Sequence, residues 1–260
     1  MLDYNHRNDN SQINSQTVTE QINKNIDKWL VWERELQAIR KYLGASRLGV
    51  PCSRALQYEY MAAENNESYP LDGQTLRIFE TGHVFEELAI RWLRFSGFRL
   101  DTRDENGQQF GFKAAHGKIA GHVDGIITGI PLTLTLKLPC PMLWEVKTMS
   151  GKNWRETVKK GLVLSKPVYA AQIALYQAYM EDTIPDISKN PCLFTAINKD
   201  TSEIYAELIP FDAELAQRMS DKAVNIIKAT EAGETLPRGF SSKEVFDCKI
   251  CPYQTKCWGD

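Results

Sequence analysis

The stretch LWEVKT, residues 143–148, sets an acid and a base two positions apart in a run that otherwise reads as a buried strand. Two residues is the period of a strand's faces, so Glu145 and Lys147 point the same way as Leu143, while Trp144, Val146 and Thr148 point the other way. One face can pack while the other presents the charged pair. On its own the hexamer also fits a half-exposed strand carrying a solvated ion pair, an arrangement of little energetic weight.

Working outward, the next strand acid in a suggestive setting is Asp124, in 121-GHVDG-125. The run 119-IAGHVDGII-127 reads as a strand in which Asp124 shares a face with His122 and Ile126. In 131-PLTLTLKL-138 leucines alternate with Thr and Lys, as in a sheet with one wet face, and Thr128-Gly129 reads as the turn between the two strands. An aspartate on one strand and a Glu-x-Lys on its neighbour can converge at one end of a sheet. That is an oxygen-rich site suited to Mg²⁺ or Mn²⁺, and such a site suits phosphodiester hydrolysis.

The flanks are helical. Helices are expected over about 20–42, about 77–95 with Phe85, Leu88, Ala89 and Trp92 as its apolar stripe, 152–163, 168–183 and 211–232. Residues 45–60 read as a turn feeding a short helix, with Cys52 near its start. The runs 192-CLFTAIN-198 and 203-EIYAELI-209 read as two more strands around an NKDT turn. Strands surrounded by helices, with hairpins among them, give an α/β class with a mixed sheet. Residues 1–20 are polar and read as a disordered tail.

The chain has 260 residues, 43% hydrophobic and 25% charged, with a net charge of −2. These values are ordinary for a soluble globular protein, and any basic surface must be local. No run is apolar enough to span a bilayer, and the first residues lack the order of a signal peptide, so a cytoplasmic protein without a membrane partner is expected. The stretch 111-GFKAAHGKI-119 has the wrong glycine spacing for a phosphate loop.

Two further sets of residues complete the pattern. In 82-GHVFEEL-88, Glu86 lies four after Gly82, with His83 as a polar neighbour; in 172-QIALY-176, Gln172 and Tyr176 are one helical turn apart on one face. Cys248, Cys251 and Cys257 form C-x2-C-x5-C, which can grip one metal centre from a short loop, and a fourth ligand must come from elsewhere. Thiolate softness allows zinc or an iron–sulfur cluster. Cys140 and Cys192 lie outside this pattern and are expected to be small buried residues.

Taken in order, these motifs resemble the PD-(D/E)xK nucleases, and more narrowly their RecB-like and lambda-exonuclease-like branch. The resemblance spans residues 52–257. It implies a restriction-endonuclease-like mixed central sheet flanked by helices. It implies metal held by Glu86, Asp124, Glu145 and the Val146 carbonyl, Lys147 beside the attacking water, and Gln172 and Tyr176 supporting the site and contacting DNA. The segment 49-GVPCSRALQY-58 resembles the N-terminal cysteine segment of iron–sulfur members of that branch. Cys52 is thereby implied as the fourth ligand of a [4Fe–4S] cluster clasping the N- and C-terminal segments, with zinc as the substitute.

The expected organisation is then a tail over 1–20, a helical region over 21–76 with Cys52, a nuclease core over 77–240 and a cysteine segment over 241–260. The most basic segment follows the Glu-x-Lys strand and supplies Lys152, Arg155, Lys159 and Lys160, with Trp154 available to stack on a base. The expected activity is metal-dependent DNA cleavage, exonucleolytic by resemblance, on single strands or duplex ends. The expected setting is recombination, repair, or phage- or CRISPR-type processing in a bacterial or phage-infected cell, with a homo-oligomer or a recombination or CRISPR protein as partner. An inactive DNA-binding or scaffolding member of the fold, or a zinc-stabilised binding module, are the alternatives.

Overall fold

The computed structural model describes residues 15–65 and 71–259. In chain order, helix α1 (Ser15–Leu36) precedes a two-residue strand β1 (Leu43–Gly44) and helices α2 (Ser53–Glu64) and α3 (Gly73–Phe95). Strands β2 (Arg99–Asp101), β3 (Gly111–Ala114), β4 (Ile119–His122), β5 (Gly125–Gly129) and β6 (Met142–Met149) follow. Next come helices α4 (Gly151–Lys160), α5 (Leu162–Ser165) and α6 (Pro167–Met180), and the hairpin β7 (Cys192–Asn198) and β8 (Ile204–Ile209). Helix α7 (Ala213–Glu231) and two short helices, α8 (Phe246–Lys249) and α9 (Gln254–Trp258), close the chain. No described helix is long and apolar enough to cross a membrane.

Of the described residues, 15–38 with 71–80 form one compact unit, and 39–65 with 81–259 form another. In the first, α1 buries none of its residues, and Arg77 pairs with Asp27. The helix starts at Ser15 and stops at Leu36, where a run to Tyr42 was expected; residues 1–14 of the expected tail lie outside the described residues.

The second unit holds two mixed sheets. One has the order β1-β4-β3, with β1 parallel and β3 antiparallel to β4; the other has the order β2-β5-β6-β7-β8, with only β6 and β7 parallel. The larger sheet is covered on both faces. Leu143, Phe194 and Ala196 pack with Ile173, Leu175 and Tyr176 of α6 and with Ile226 and Ile227 of α7. Trp144, Val146, Leu193 and Ile197 pack with Ala89, Phe85 and Trp92 of α3. The two faces of β6 separate as the period-two reading requires. Trp144 is fully buried, and its indole N–H donates to Thr195 Oγ1 at 3.1 Å, which satisfies the polar atom a tryptophan carries into a core.

Three expectations give way. The single strand over 119–127 is two strands in two sheets: β4 pairs with β1 and β3, β5 with β2 and β6. The chain changes sheet at Val123–Asp124, so Asp124 stands in the gap rather than on a strand face with His122. Beside the five-stranded mixed sheet there is thus a second, three-stranded one. The alternating run 131–138 forms no strand; Leu132 and Leu136 are exposed in a loop, and β6, the strand that follows, is already flanked by β5 and β7 and offers a leucine row no edge. Alternation creates a two-faced strand only where a partner strand exists.

Candidate active site

Strand β6 occupies the middle of the five-stranded sheet and brings Glu145 and Lys147 to the face covered by α6. The expected half-wet face is not half-wet at Glu145, whose side chain is 0% exposed. The Lys147 ammonium donates to Glu145 Oε1, and Gln172 Nε2 on α6 donates to the same oxygen at 2.6 Å. Glu145 Oε2 is buried with no hydrogen-bond partner. Asp124 Oδ2 accepts the Val146 N–H at 2.8 Å, which locks the gap between β4 and β5 onto the central strand.

Glu86 comes from α3. The turn of α3 at Gly82 lies against the end of β6, where a Cβ built on Gly82 would stand 3.7 Å from Thr148 Oγ1. Glu86 lies within electrostatic reach of both Asp124 and Lys147. Its carboxyl is pushed up to about 7 by burial and then by the charge of Asp124. Glu145 is pushed up to about 8 by the same two causes in the same order. Asp124 is raised by burial, against the pull of Lys147 and the Val146 amide. For Lys147 burial works against the charge, but the Glu145 and Asp124 carboxylates outweigh it and hold the ammonium above its ordinary range. Three acids thus crowd one cation in a low-dielectric setting; each resists ionisation first because it is buried, and the charge of Asp124 adds to the rise at Glu86 and Glu145.

Tyr176 is one turn beyond Gln172 on α6, edge-on to Phe112 with ring centroids 5.8 Å apart. A Cβ on Gly121 would come within 2.7 Å of Tyr176 Cε1, so only glycine lets the ring lie against β4. Burial, then Glu145, raise the Tyr176 hydroxyl, which stays protonated. Tyr169, one turn before Gln172, places its ring 5.4 Å from the Lys147 ammonium, a cation–π contact that the sequence motifs did not single out. Its spacing to Gln172 and Tyr176 was a usable signal, since 169, 172 and 176 fall on one helical face. His83 and His122 are exposed and lie outside this hydrogen-bonded set.

The basic segment forms α4, capped where Gly151 N–H donates to Asp200 Oδ2 at 2.8 Å. Lys152, Arg155 and Lys159 are exposed at helical spacing. Lys160 is paired with Glu156 at 2.8 Å. Trp154 is half-buried against the core and donates its indole N–H to the Ala196 carbonyl at 3.1 Å, which fastens the helix to the sheet.

The second polar centre gathers Cys52, Cys248, Cys251 and Cys257 around one cavity of about 250 Å³. Cys52 is the N-cap residue of α2, Cys248 lies in α8 and Cys257 in α9. The segment before α8 is fastened to α2: Gln57 Nε2 donates to the Glu234 carbonyl at 2.6 Å, and Gln57 Oε1 accepts Leu236 N–H at 2.9 Å. Cys192 is buried as expected, but Cys140 is exposed, in the loop 130–141 before β6.

Among the described residues no three His, Cys, Asp or Glu side chains stand in metal-ligand spacing, so neither expected metal centre is preformed. In the first, Glu145 is turned to Lys147 and Gln172, which neutralises it without a metal. In the second, the four thiols line one cavity and lie within electrostatic reach of one another. The residues nonetheless fit the groups. A buried carboxylate oxygen without a partner and a set of mutually repelling acids suit a hard cation. Four free thiols around one cavity suit a thiolate-ligated centre.

No family model matches the chain, and no curated protein matches it. Among solved structures, the chain matches LHK-Exo, an alkaline exonuclease from Laribacter hongkongensis, with a TM-score of 0.51 at 16% identity over 77% of this chain and 93% of that one. The chain shares the fold of LHK-Exo. The complex of LHK-Exo with dAMP gives the same picture, with a TM-score of 0.53 at 15% identity over 77% of this chain and 93% of that one. At this identity the likeness is one of fold.

Proposed function

We propose that this chain is a divalent-metal-dependent DNA nuclease, acting from DNA ends as an exonuclease. The observation that carries the reading is Glu145: fully buried on a central strand, bound through one oxygen to Lys147 and Gln172, with its other oxygen unpartnered. A buried carboxylate in that state is costly and suits a bound cation. The fold shared with an alkaline exonuclease supports the same reading.

In this reading Glu86, Asp124 and Glu145, with the Val146 carbonyl, hold Mg²⁺ or Mn²⁺. The metal supplies Lewis-acid polarisation of the scissile phosphate and a lowered pKa for bound water. Lys147 turns its ammonium toward the attacked phosphate and offsets the charge that grows there. Gln172 holds Glu145 in register from α6, and Tyr176 and Tyr169 wall the site. Lys152, Arg155 and Lys159 guide the DNA backbone along α4. The four cysteines hold a [4Fe–4S] cluster that joins α2 to the C-terminal segment; the work such a pair of sites suits is DNA-end processing in recombination, repair or phage-type metabolism.

Labelled single- and double-stranded DNA, incubated with Mg²⁺ or Mn²⁺, tests the reading. Wild-type protein shortens the DNA from its ends, whereas E145A and K147A do not. The triple variant K152Q/R155Q/K159Q flattens the salt dependence of binding by about 0.9 in log–log slope for each duplex phosphate it no longer neutralises. DNA bound but never cut by wild type would sink the nuclease assignment and favour a scaffold of the same fold.

A further inference from the structure

Arg54 enters the cysteine cavity two residues after Cys52, on the first turn of α2. One arm of its guanidinium donates from Nε to the Leu236 carbonyl. The other, Nη1, points to Cys257 Sγ at 3.8 Å, an N–H to sulfur contact. A second cation stands behind Cys52: Lys222 donates to the carbonyls of Leu48 and Val50, within electrostatic reach of the Cys52 sulfur. Arg238 donates to the Cys257 carbonyl at 3.1 and 2.8 Å and lies over the Trp258 ring, so it fixes the Cys257 backbone without touching sulfur. The acids of the cavity wall are Glu59, whose charge is matched by Arg47 at 3.2 Å, and Asp247.

We infer that Arg54 sets the reduction potential of the cluster held by Cys52, Cys248, Cys251 and Cys257, through its hydrogen bond to the Cys257 thiolate. The inference rests on the iron–sulfur reading of this cavity. A [4Fe–4S] core held by four thiolates is already an anion, and uptake of one electron makes it more negative without forming or breaking a bond. A positive N–H donor on a ligating sulfur draws density from it and stabilises the reduced form more than the oxidised one, which makes the potential more positive. Structural anchoring alone would need only the Leu236 contact. The second arm, aimed at sulfur, is what an electronic role requires.

The test uses the full chain purified without oxygen, with iron and acid-labile sulfide assayed, and a dithionite titration of wild type, R54K and R54Q followed by electron paramagnetic resonance. The midpoints are expected to fall in the order wild type, R54K, R54Q. For R54Q the oxidised-to-reduced ratio at a fixed solution potential rises about tenfold, which is about 59 mV for a one-electron couple. Cluster-loaded variants with the wild-type midpoint overturn the role of Arg54. Should R54Q not retain iron, R54K decides alone, because an ammonium is one donor centre where the guanidinium sets two nitrogens, Nε on the Leu236 carbonyl and Nη1 on the Cys257 sulfur: a more negative midpoint supports the inference and an unchanged one overturns it. Wild-type protein carrying zinc and no sulfide removes the cluster reading itself, and the inference with it.

Discussion

The two polar centres of this fold are built on opposite principles. Around Glu145 the protein drives ionisable groups into its buried core, on a strand covered by helices on both faces. Around the cysteines it works at the edge of the domain, with intermediate burial at Cys52, Cys251 and Cys257, and ties distant segments together by backbone contacts to α2. On the proposed reading, the first arrangement gives up stability to hold reactive groups rigid, and the second adds stability by joining distant segments. Removing a residue should therefore harm activity at one centre and folding at the other.

The largest expected effect follows from that division. K147M lowers the cleavage rate by about 10²–10³-fold, the loss typical of one preorganised transition-state stabiliser, while its denaturant midpoint stays near wild type. C251A does the reverse, costing about 2–5 kcal/mol of stability, the scale of a missing native crosslink, as measured by chemical denaturation. If both variants lose stability alike, the two centres are not separate devices.

A second, smaller effect is in pH. Glu145 and Glu86 have folded-state values raised to about 8 and about 7, above the ordinary carboxylate value of 4.5. An acid raised on folding binds more protons in the folded state, so its contribution is full below its unfolded value and is lost as pH rises through the folded one. Metal-free protein should therefore melt lower at pH 8.5 than at pH 5.5. Mg²⁺ or Mn²⁺, which binds the ionised carboxylates, should raise the melting temperature more at the higher pH. A metal-induced shift independent of pH would mean that the cation binds elsewhere. The cysteine centre should show no matching response to Mg²⁺.

The smallest effects come from one methyl group at each centre. In G121A the new Cβ meets Tyr176 Cε1 at 2.7 Å, and in G239A it meets the Cys52 backbone at 2.9 Å. Each overpacks its site by about 1–3 kcal/mol. G121A should slow cleavage with iron content unchanged, and G239A should lower iron content with less change in the rate per loaded molecule. Crossed outcomes would show the two centres to be mechanically coupled.

Much of this was legible in the chain itself. LWEVKT reads as a two-faced strand because burial and period agree, and Gln172 and Tyr176 read as one helical face because helical spacing is rigid. The hairpin over 192–209 and the helix after it follow from the same local periods. What failed was whatever depended on a partner. The leucines of 131–138 alternate as well as those of any strand, yet they pair with none, and the β6 strand they precede is already flanked by β5 and β7. Asp124 reads as a strand residue, yet it sits where the chain steps between sheets.

By itself, then, the sequence determined the local elements, the identity of the acids and the base, and the four thiols capable of forming a centre. Only the tertiary structure decided that Glu145 is wholly buried, that Asp124 is fastened to the Val146 amide, and that Arg54 faces a sulfur far away in the chain. The physical reason is one of range. Backbone periods and caps act over a few residues and are written in order, whereas burial, repulsion among carboxylates and contact with sulfur depend on distances that exist only after the chain has folded.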